Sequence, residues 1–571
     1  MSDQKTFHLG LCMAGAVSAG AYTAGVIDYL IETLERWEEA KKTGDPSIPT
    51  HQIVIDVIGG ASAGGMTSII AGAAMQNPIG HITPDKRNDE AFKNNNKLYD
   101  SWVNLAADDM LPLMLKNDDI EKNNKVISLF NSDFIKGIAD KAVTVNPNTP
   151  YPRPYLSDDA DILVTLTNLQ GIPYSLGFLG GVSKLDQYKT STHRDFGHFA
   201  LNKTTYKNDG RIPLSFLNNT NLDIAKNCAM ATGAFPVGLS AREIQRDKQQ
   251  VFDNRFINLL NEMEKKYNTN IPKSIVTDNL IAQKSFLHEI FDKLQNQNAY
   301  TTLNVDGGML NNEPFEIIRD VIIDKTKEDR AANNNYDTCR SSILMIDPFP
   351  CEDPETDFDS SIGIMNVIKQ TFKTMRGQLL FKPQDIEKAM DPKNISRFLI
   401  VPERENSTDN ISGSMAIACG SFEGFGGFFD KSFRVHDYFL GRRNCQYFLQ
   451  EWLTIPVDTT NPIFTENYSP EAKTRFLSKK GGLPIIPDTN KGNSNMEEKA
   501  LDWPQIEASK VESWRKLFRE RIKELTFRLT DLKGFDKFLL NIGYGILIGR
   551  KATDAVINMI TNDLRKHKLI K

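Results

Sequence analysis

The sequence predicts an α/β fold with a mostly parallel central sheet, followed by a mainly helical C-terminal region. Three observations carry this. Two strand–turn–helix units follow one another within the first 75 residues, and such alternation builds parallel sheets. Further strand candidates recur downstream at 161–166, 302–305, 342–346 and 398–402. The composition, 40% hydrophobic and 25% charged over 571 residues, is that of a globular chain, neither disordered nor fibrous. A chain of this size buries large cores without disulfide or metal staples.

Taken in order, residues 7–13 form a short apolar run, and the small-residue loop Ala14-Gly15-Ala16-Val17-Ser18-Ala19-Gly20 follows. Val26, Leu30, Leu34 and Trp37 then recur at helical spacing. Residues 53–58 are apolar almost without interruption, as in a strand covered on both faces. Glycines at 59, 60, 64 and 65 break that run, and the Ala-rich stretch 66–75 favours helix. Polar, Asn- and Lys-rich stretches at 84–97, 186–210 and 247–298 read as helical or loop insertions on the sheet. Residues 361–381 read as helix, 404–445 as Gly-rich loop mixed with aromatics, and 488–495 as a linker. The expected division is residues 1–355 as a catalytic domain with insertions and 356–571 as a mainly helical extension, with a cover packed on the first region, a lid and a separate domain all left open.

Charge and cysteine usage exclude several classes. The net charge of −5 gives no global attraction for nucleic acid. Residues 511–571 are locally basic, with 14 Lys and Arg against 7 Asp and Glu. There, Trp514, Leu517, Phe518, Ile522, Leu525, Leu529 and Leu532 recur at helical spacing beside Arg515, Arg519, Lys523 and Arg528. Such a helix suits an anionic bilayer surface, or packs on the protein with its basic face in solvent. The run 538–548 is apolar but short, and no run reaches the 18 to 20 residues of a membrane span. The N-terminal residues lack the long apolar stretch of a signal peptide, and six dispersed cysteines argue against a disulfide framework or zinc site. A cytoplasmic location with free thiols is expected. The acidic residues within 352–359 lack EF-hand spacing and read as a solvated turn, so no metal is expected. No nucleotide-cradling motif occurs and no cofactor is expected; Arg442-Arg443 offers a phosphate contact or, more simply, surface ion pairs.

The chemistry concentrates at Gly60-Ala61-Ser62-Ala63-Gly64, a G-x-S-x-G sequence between a strand and a helix. A serine on so sharp a turn projects its hydroxyl above the sheet, with Gly60 and Gly64 removing side chains that would clash. The helix N-terminus behind it supplies unpaired N–H groups for a developing oxyanion. Asp306, after the strand candidate 302–305 and before Gly307-Gly308, stands where a base would emerge, although an Asp-Gly turn also fits it. His436 follows Asp306 in the chain, so a Ser–Asp–His triad is permitted by order. His193 and His198 fall in a polar stretch and carry no expected chemistry.

Four blocks together resemble the patatin-like phospholipase family: residues 15–25 (GAVSAGAYTAG), the pentapeptide 60–64, the small-residue run 229–237 (AMATGAFPV), and Asp306-Gly307-Gly308 with Asn312 and Pro314. The resemblance implies a patatin-type three-layer α/β/α fold, a Ser62–Asp306 dyad, and hydrolysis of acyl esters in phospholipids or related lipids at a peripheral membrane surface. It also implies an oxyanion hole from the backbone of Gly15, Ala16, Val17 and Ala63. The loop departs from the family's G-G-G-x-R-G: Gly15 and Gly20 remain, and Ala19 replaces the basic residue. Ala and Val amides serve there if their φ stays negative. The same fold would also serve an acyltransferase or thioesterase, and the altered loop would suit a non-catalytic lipid-binding module. Oligomeric state is left open.

Overall fold

The computed structural model describes residues 5–87, 95–178, 186–207, 209–252, 299–328, 335–350, 397–405, 410–529 and 549–571. Among these, nine strands form the central sheet: β1 (Thr6–Met13), β2 (Gln52–Gly60), β3 (Leu156–Phe178), β4 (Asp186–Leu201), β5 (Ile212–Leu214), β6 (Arg242–Asp247), β7 (Ala299–Asp306), β8 (Ser341–Ile346) and β9 (Arg397–Ile400). The main order is β5-β4-β3-β2-β1-β8-β9, with β7 pairing β3 and β6 pairing β7. The strands β3, β2, β1, β8 and β9 run parallel, whereas β4 and β7 are antiparallel to β3.

The helices that place the site are α1 (Gly20–Lys41), α2 (Ala63–Ala74), α3 (Leu222–Thr232), α4 (Phe315–Thr326), α5 (Lys431–Glu451), α6 (Arg515–Leu529) and α7 (Gly549–Lys566). Strand alternation sorts the core into layers. Cys12, Val57, Leu163 and Ile343 meet Phe315, Ile318 and Ile322 of α4 on one face. Leu11, Met13, Ile58 and Leu344 face the other way and join α1 and α5, while Ile162, Val164 and Leu166 of β3 pack with α2 and α3. This is the α/β/α arrangement expected.

Several readings change on the structure. Residues 186–201 form strand β4, not an insertion; their polar composition hides a strand whose alternate side chains bond across the sheet, as His198 does to Asp161 Oδ1 at 2.8 Å. The sheet is mostly parallel, as expected, with β7 entering from the opposite direction. The supposed linker begins with a buried Asp488, whose Oδ2 accepts from the Tyr29 hydroxyl at 3.0 Å and from Gln450 Nε2 at 2.7 Å. Arg442 makes no surface pair: it is fully buried on α5. Of α6, Trp514 just before it and Phe518 are buried, and Arg521 is buried against Asp119. Among the described residues, no helix is long and apolar enough to cross a membrane. The expectations for 352–359, 361–381 and 538–548, for Cys351, and for most of 247–298 lie outside the described residues. The other five cysteines are buried free thiols.

Candidate active site

The long strand β3 brings the key residues together. β2 runs parallel along its first half, ending with Gly60 opposite Val164. β7 runs antiparallel along the same edge, ending with Asp306 opposite Leu166. The C-terminal ends of β2 and β7 therefore meet head to head, two β3 residues apart. Ser62 and Asp306, 244 positions apart in the chain, project into that gap.

At the elbow, the backbone packs on the end of β1 at a distance only glycine permits. A Cβ at Gly64 would lie 2.1 Å from Met13 O, and one at Gly60 2.6 Å from the same atom. Ala61 N donates to Met13 O at 3.1 Å. Ser62 itself has φ 49° and ψ −124°, a left-handed conformation that costs a non-glycine residue about 1–3 kcal/mol. The strain is held in place: Ser62 N donates to Thr232 Oγ1, at the end of α3, over 2.8 Å. Ser62 Oγ donates to Asp306 Oδ2 at 2.7 Å.

Asp306 is fixed on every side. Its Oδ1 accepts from Gly308 N at 2.7 Å, its N–H donates to Ala234 O at 3.0 Å, and its carbonyl accepts from Thr167 Oγ1 at 2.7 Å. A Cβ on Gly307 would fall 2.2 Å from Thr165 O, so the turn lies directly on β3. Ser62 and Asp306 are each 6% exposed. The carboxylate that accepts the Ser62 hydroxyl hydrogen bond is thus oriented before any ligand arrives.

The loop of residues 14–19 runs past this pair. Ala14 N donates to Ile346 O at 3.0 Å, anchoring the loop to β8. A Cβ on Gly15 would lie 2.3 Å from Asn312 Oδ1 and 3.0 Å from Ser62 Cβ, so Gly15 fills the space beside Ser62. Among the described residues, the N–H groups of Gly15, Ala16 and Val17 have no hydrogen-bond acceptor. Ala63 opens α2, whose first-turn N–H groups lack partners within their own helix. Of the four expected oxyanion residues, Gly15 and Ala63 therefore flank Ser62, and Ala16 and Val17 continue the loop from Gly15. The proviso on φ is not met at Val17, the first residue of a short 3₁₀ segment, whose φ is 47°. At the same sheet edge lies Asp347, whose carboxyl burial pushes up to about 7, with the Phe349 N–H opposing and Glu313 reinforcing the shift.

His436 takes no part in this constellation. It sits in α5 with Nδ1 2.8 Å from Asp437 Oδ1 and its ring edge-on to Trp503, while Asp437 caps the amides of Ala418 and Cys419. His193 bonds the Asn168 carbonyl and His198 the Asp161 carboxylate. Thr232 and Thr167, which hold the backbones of Ser62 and Asp306, carried no signal beyond Thr232 lying in the small-residue run. Elsewhere, Asp28, Glu32 and His81 place ligand atoms within 4.8 Å of one another. The Arg442 guanidinium bonds Asp28 and Glu32, so a fixed cation already neutralises that cluster.

The profile of the Patatin family, patatin-like phospholipase, matches residues 11–319, more than half of the chain. The chain belongs to the patatin-like phospholipase family. That family implies lipid acyl hydrolysis in general, lipid substrates and the α/β/α fold. This patatin-like chain is also 29% identical to the uncharacterized protein y4iI of Sinorhizobium fredii (strain NBRC 101917 / NGR234), over 96% of its own length and 80% of that protein. The crystal structure of VipD from Legionella pneumophila aligns with 98% of this chain and 90% of its own, at 13% identity and a TM-score of 0.20, too low to bear on fold or function.

Proposed function

We propose that this patatin-like chain is a serine lipid acyl hydrolase of phospholipase A type, working through a Ser62–Asp306 dyad and an acyl-enzyme. The observation that carries the reading is the 2.7 Å bond from Ser62 Oγ to a carboxylate oxygen whose partner oxygen is held by Gly308 N. Asp306 takes the hydroxyl proton as Ser62 Oγ bonds to the ester carbonyl carbon. The amides of Gly15, Ala16 and Ala63 face the negative charge that then develops on the carbonyl oxygen, while Val17, at φ 47°, drops out of the expected set; each such donor supplies about 3 kcal/mol. Asp306 returns its proton to the departing alcohol as the ester C–O bond breaks. It next takes a proton from a water whose oxygen bonds to the acyl carbon; the bond from that carbon to Ser62 Oγ then breaks, the fatty acid leaves, and Asp306 returns the proton to Oγ.

The surroundings suit an acyl chain. The segment after Thr232 carries Phe235 and Val237, 40% and 72% exposed, and Ala234 in the same segment bonds Asp306 N. Apolar side chains in solvent beside the dyad fit a substrate presented at a peripheral membrane surface. A fluorophosphonate probe tests the reading. Wild type is expected to be labelled at Ser62 and to release fatty acid from phospholipid vesicles. Ser62→Ala abolishes both, and Asp306→Asn lowers turnover by about a thousandfold or more in a folded protein. Folded wild type that resists labelling, or an Asp306→Asn variant with normal turnover, would overturn it.

A further inference from the structure

The loop beside Ser62 is held by a part of the chain about 400 residues away. Ser18, buried in that loop, donates both its N–H (3.0 Å) and its Oγ (2.5 Å) to the Gly424 carbonyl, and its Oγ accepts from Gly427 N at 2.9 Å. Ser18 has no freedom to rotate without breaking a buried bond. The packing is close: a Cβ on Gly427 would lie 2.7 Å from Ser18 Oγ, and one on Gly424 3.2 Å from Val17 Cβ. Val17, next to Ser18, is the left-handed residue of the loop.

The turn that supplies the Gly424 carbonyl is itself unusual. Phe422, Glu423 and Gly424 follow one another at φ 51°, 53° and 93°. Two consecutive non-glycine residues in the left-handed region are sterically costly and persist only where surrounding bonds over-determine them. Here Gly424 N bonds Gly420 O at 3.3 Å and Gly426 N bonds Ser421 O at 2.9 Å. A further tie comes from the last helix: Phe422 N donates to Asp563 Oδ2 of α7 at 2.5 Å.

We propose that Ser18 and Asp563 are positioning residues for the oxyanion loop, so that α7, through the strained turn 422–424, sets the geometry in which Gly15 and Ala16 meet the reacting carbonyl. The proposal rests on the hydrolase reading above, and deepens it by making turnover depend on the far end of the chain. Neither residue bonds Ser62 or Asp306. Their effect passes through the Gly424 carbonyl and the Val17 backbone.

The test uses the full-length chain with Ser18→Ala, Asp563→Ala and Asp563→Asn. The asparagine side chain keeps an oxygen able to accept from Phe422 N, and the alanine side chain has none. Hydrogen–deuterium exchange of the peptide spanning residues 14–21 is expected to quicken in Ser18→Ala and Asp563→Ala and to stay near wild type in Asp563→Asn. On phospholipid vesicles, kcat is expected to fall about 10- to 100-fold in the two alanine variants with KM within about twofold, and Asp563→Asn to recover most of it. Should Ser18→Ala fail to fold, the Asp563 pair carries the test, since that side chain is partly in solvent. Unchanged exchange in folded Asp563→Ala overturns the mechanical link. Quickened exchange with undiminished kcat overturns the catalytic consequence. A wild type that is never labelled at Ser62 sinks the hydrolase reading instead, and the exchange measurement still decides the link.

Discussion

Ser62 is strained at φ 49°, and its N–H would be a buried donor without acceptor but for Thr232 Oγ1. A threonine in the last turn of an alanine-rich helix looks generic, yet it joins α3 to the Ser62 backbone. Thr232→Val keeps the shape and removes the acceptor, leaving that N–H unpaired at a cost of about 1–3 kcal/mol. The expected outcome is a lower urea midpoint together with a fall in kcat of about tenfold, both largely restored in Thr232→Ser; equal stability and turnover in Thr232→Val would refute the role. The contrast with Ser62 and Asp306 explains what was readable at this scale. Those two belong to residue types and turn contexts that announce chemistry, and Gly60 and Gly64 to positions where a turn demands glycine. Thr232 and Thr167 act through single hydroxyls on backbone atoms distant in sequence, and nothing local marks them.

At the scale of elements, β1, β2 and α2 were legible because long apolar or alanine-rich runs leave little choice of conformation. β4 was not, since its polar residues balance ions across strands, and the direction of β7 was not, since it is set by pairing with β3 more than a hundred residues earlier. A third feature was present in the sequence but without its reason. Gly25 of α1 and Gly441 of α5 let two helices touch backbone to backbone: a Cβ on Gly25 would lie within contact-forbidden range of Tyr438 O, 1.9 Å, and one on Gly441 2.2 Å from Tyr22 O. Because the obstacle is main chain, no rotamer relieves it. Gly25→Ala and Gly441→Ala are therefore each expected to destabilise the protein by about 3 kcal/mol or more. Thermal unfolding checks this, with Gly44→Ala as a poor control (its φ is 69°) and Gly137→Ala, which meets nothing within 4 Å, as the proper one.

Across the whole molecule, the N- and C-terminal thirds share one core: Leu9, Trp37, Phe433, Phe464, Trp514 and Ile557 belong to a single buried cluster. A polar network runs through the same joint. Arg442 of α5 bonds Asp28 and Glu32 of α1 and Glu498 of the later chain, and His81 bridges Asp28 and Glu35. We infer that the described N- and C-terminal regions unfold as one cooperative unit, so that this network sets the stability of the whole. Burial alone would push His81 down, but Asp28 and the bonds to Asp28 and Glu35 carry it up to about 9. A histidine with its folded pKa raised from about 6.5 stabilises fully below that value and loses the contribution as pH rises through 9. Asp28 and Glu35, both shifted down by these partners against burial, are ionised throughout that window and do not offset the loss. His567, raised by Asp563 against burial, changes in the same sense. Urea unfolding followed by fluorescence and by circular dichroism is thus expected to give one coincident transition, whose midpoint drops between pH 6.5 and pH 9. His81→Gln lowers the midpoint at pH 6 and flattens most of that dependence. Two separated transitions would contradict the single unit, and an undiminished pH dependence in His81→Gln would remove His81 as its source.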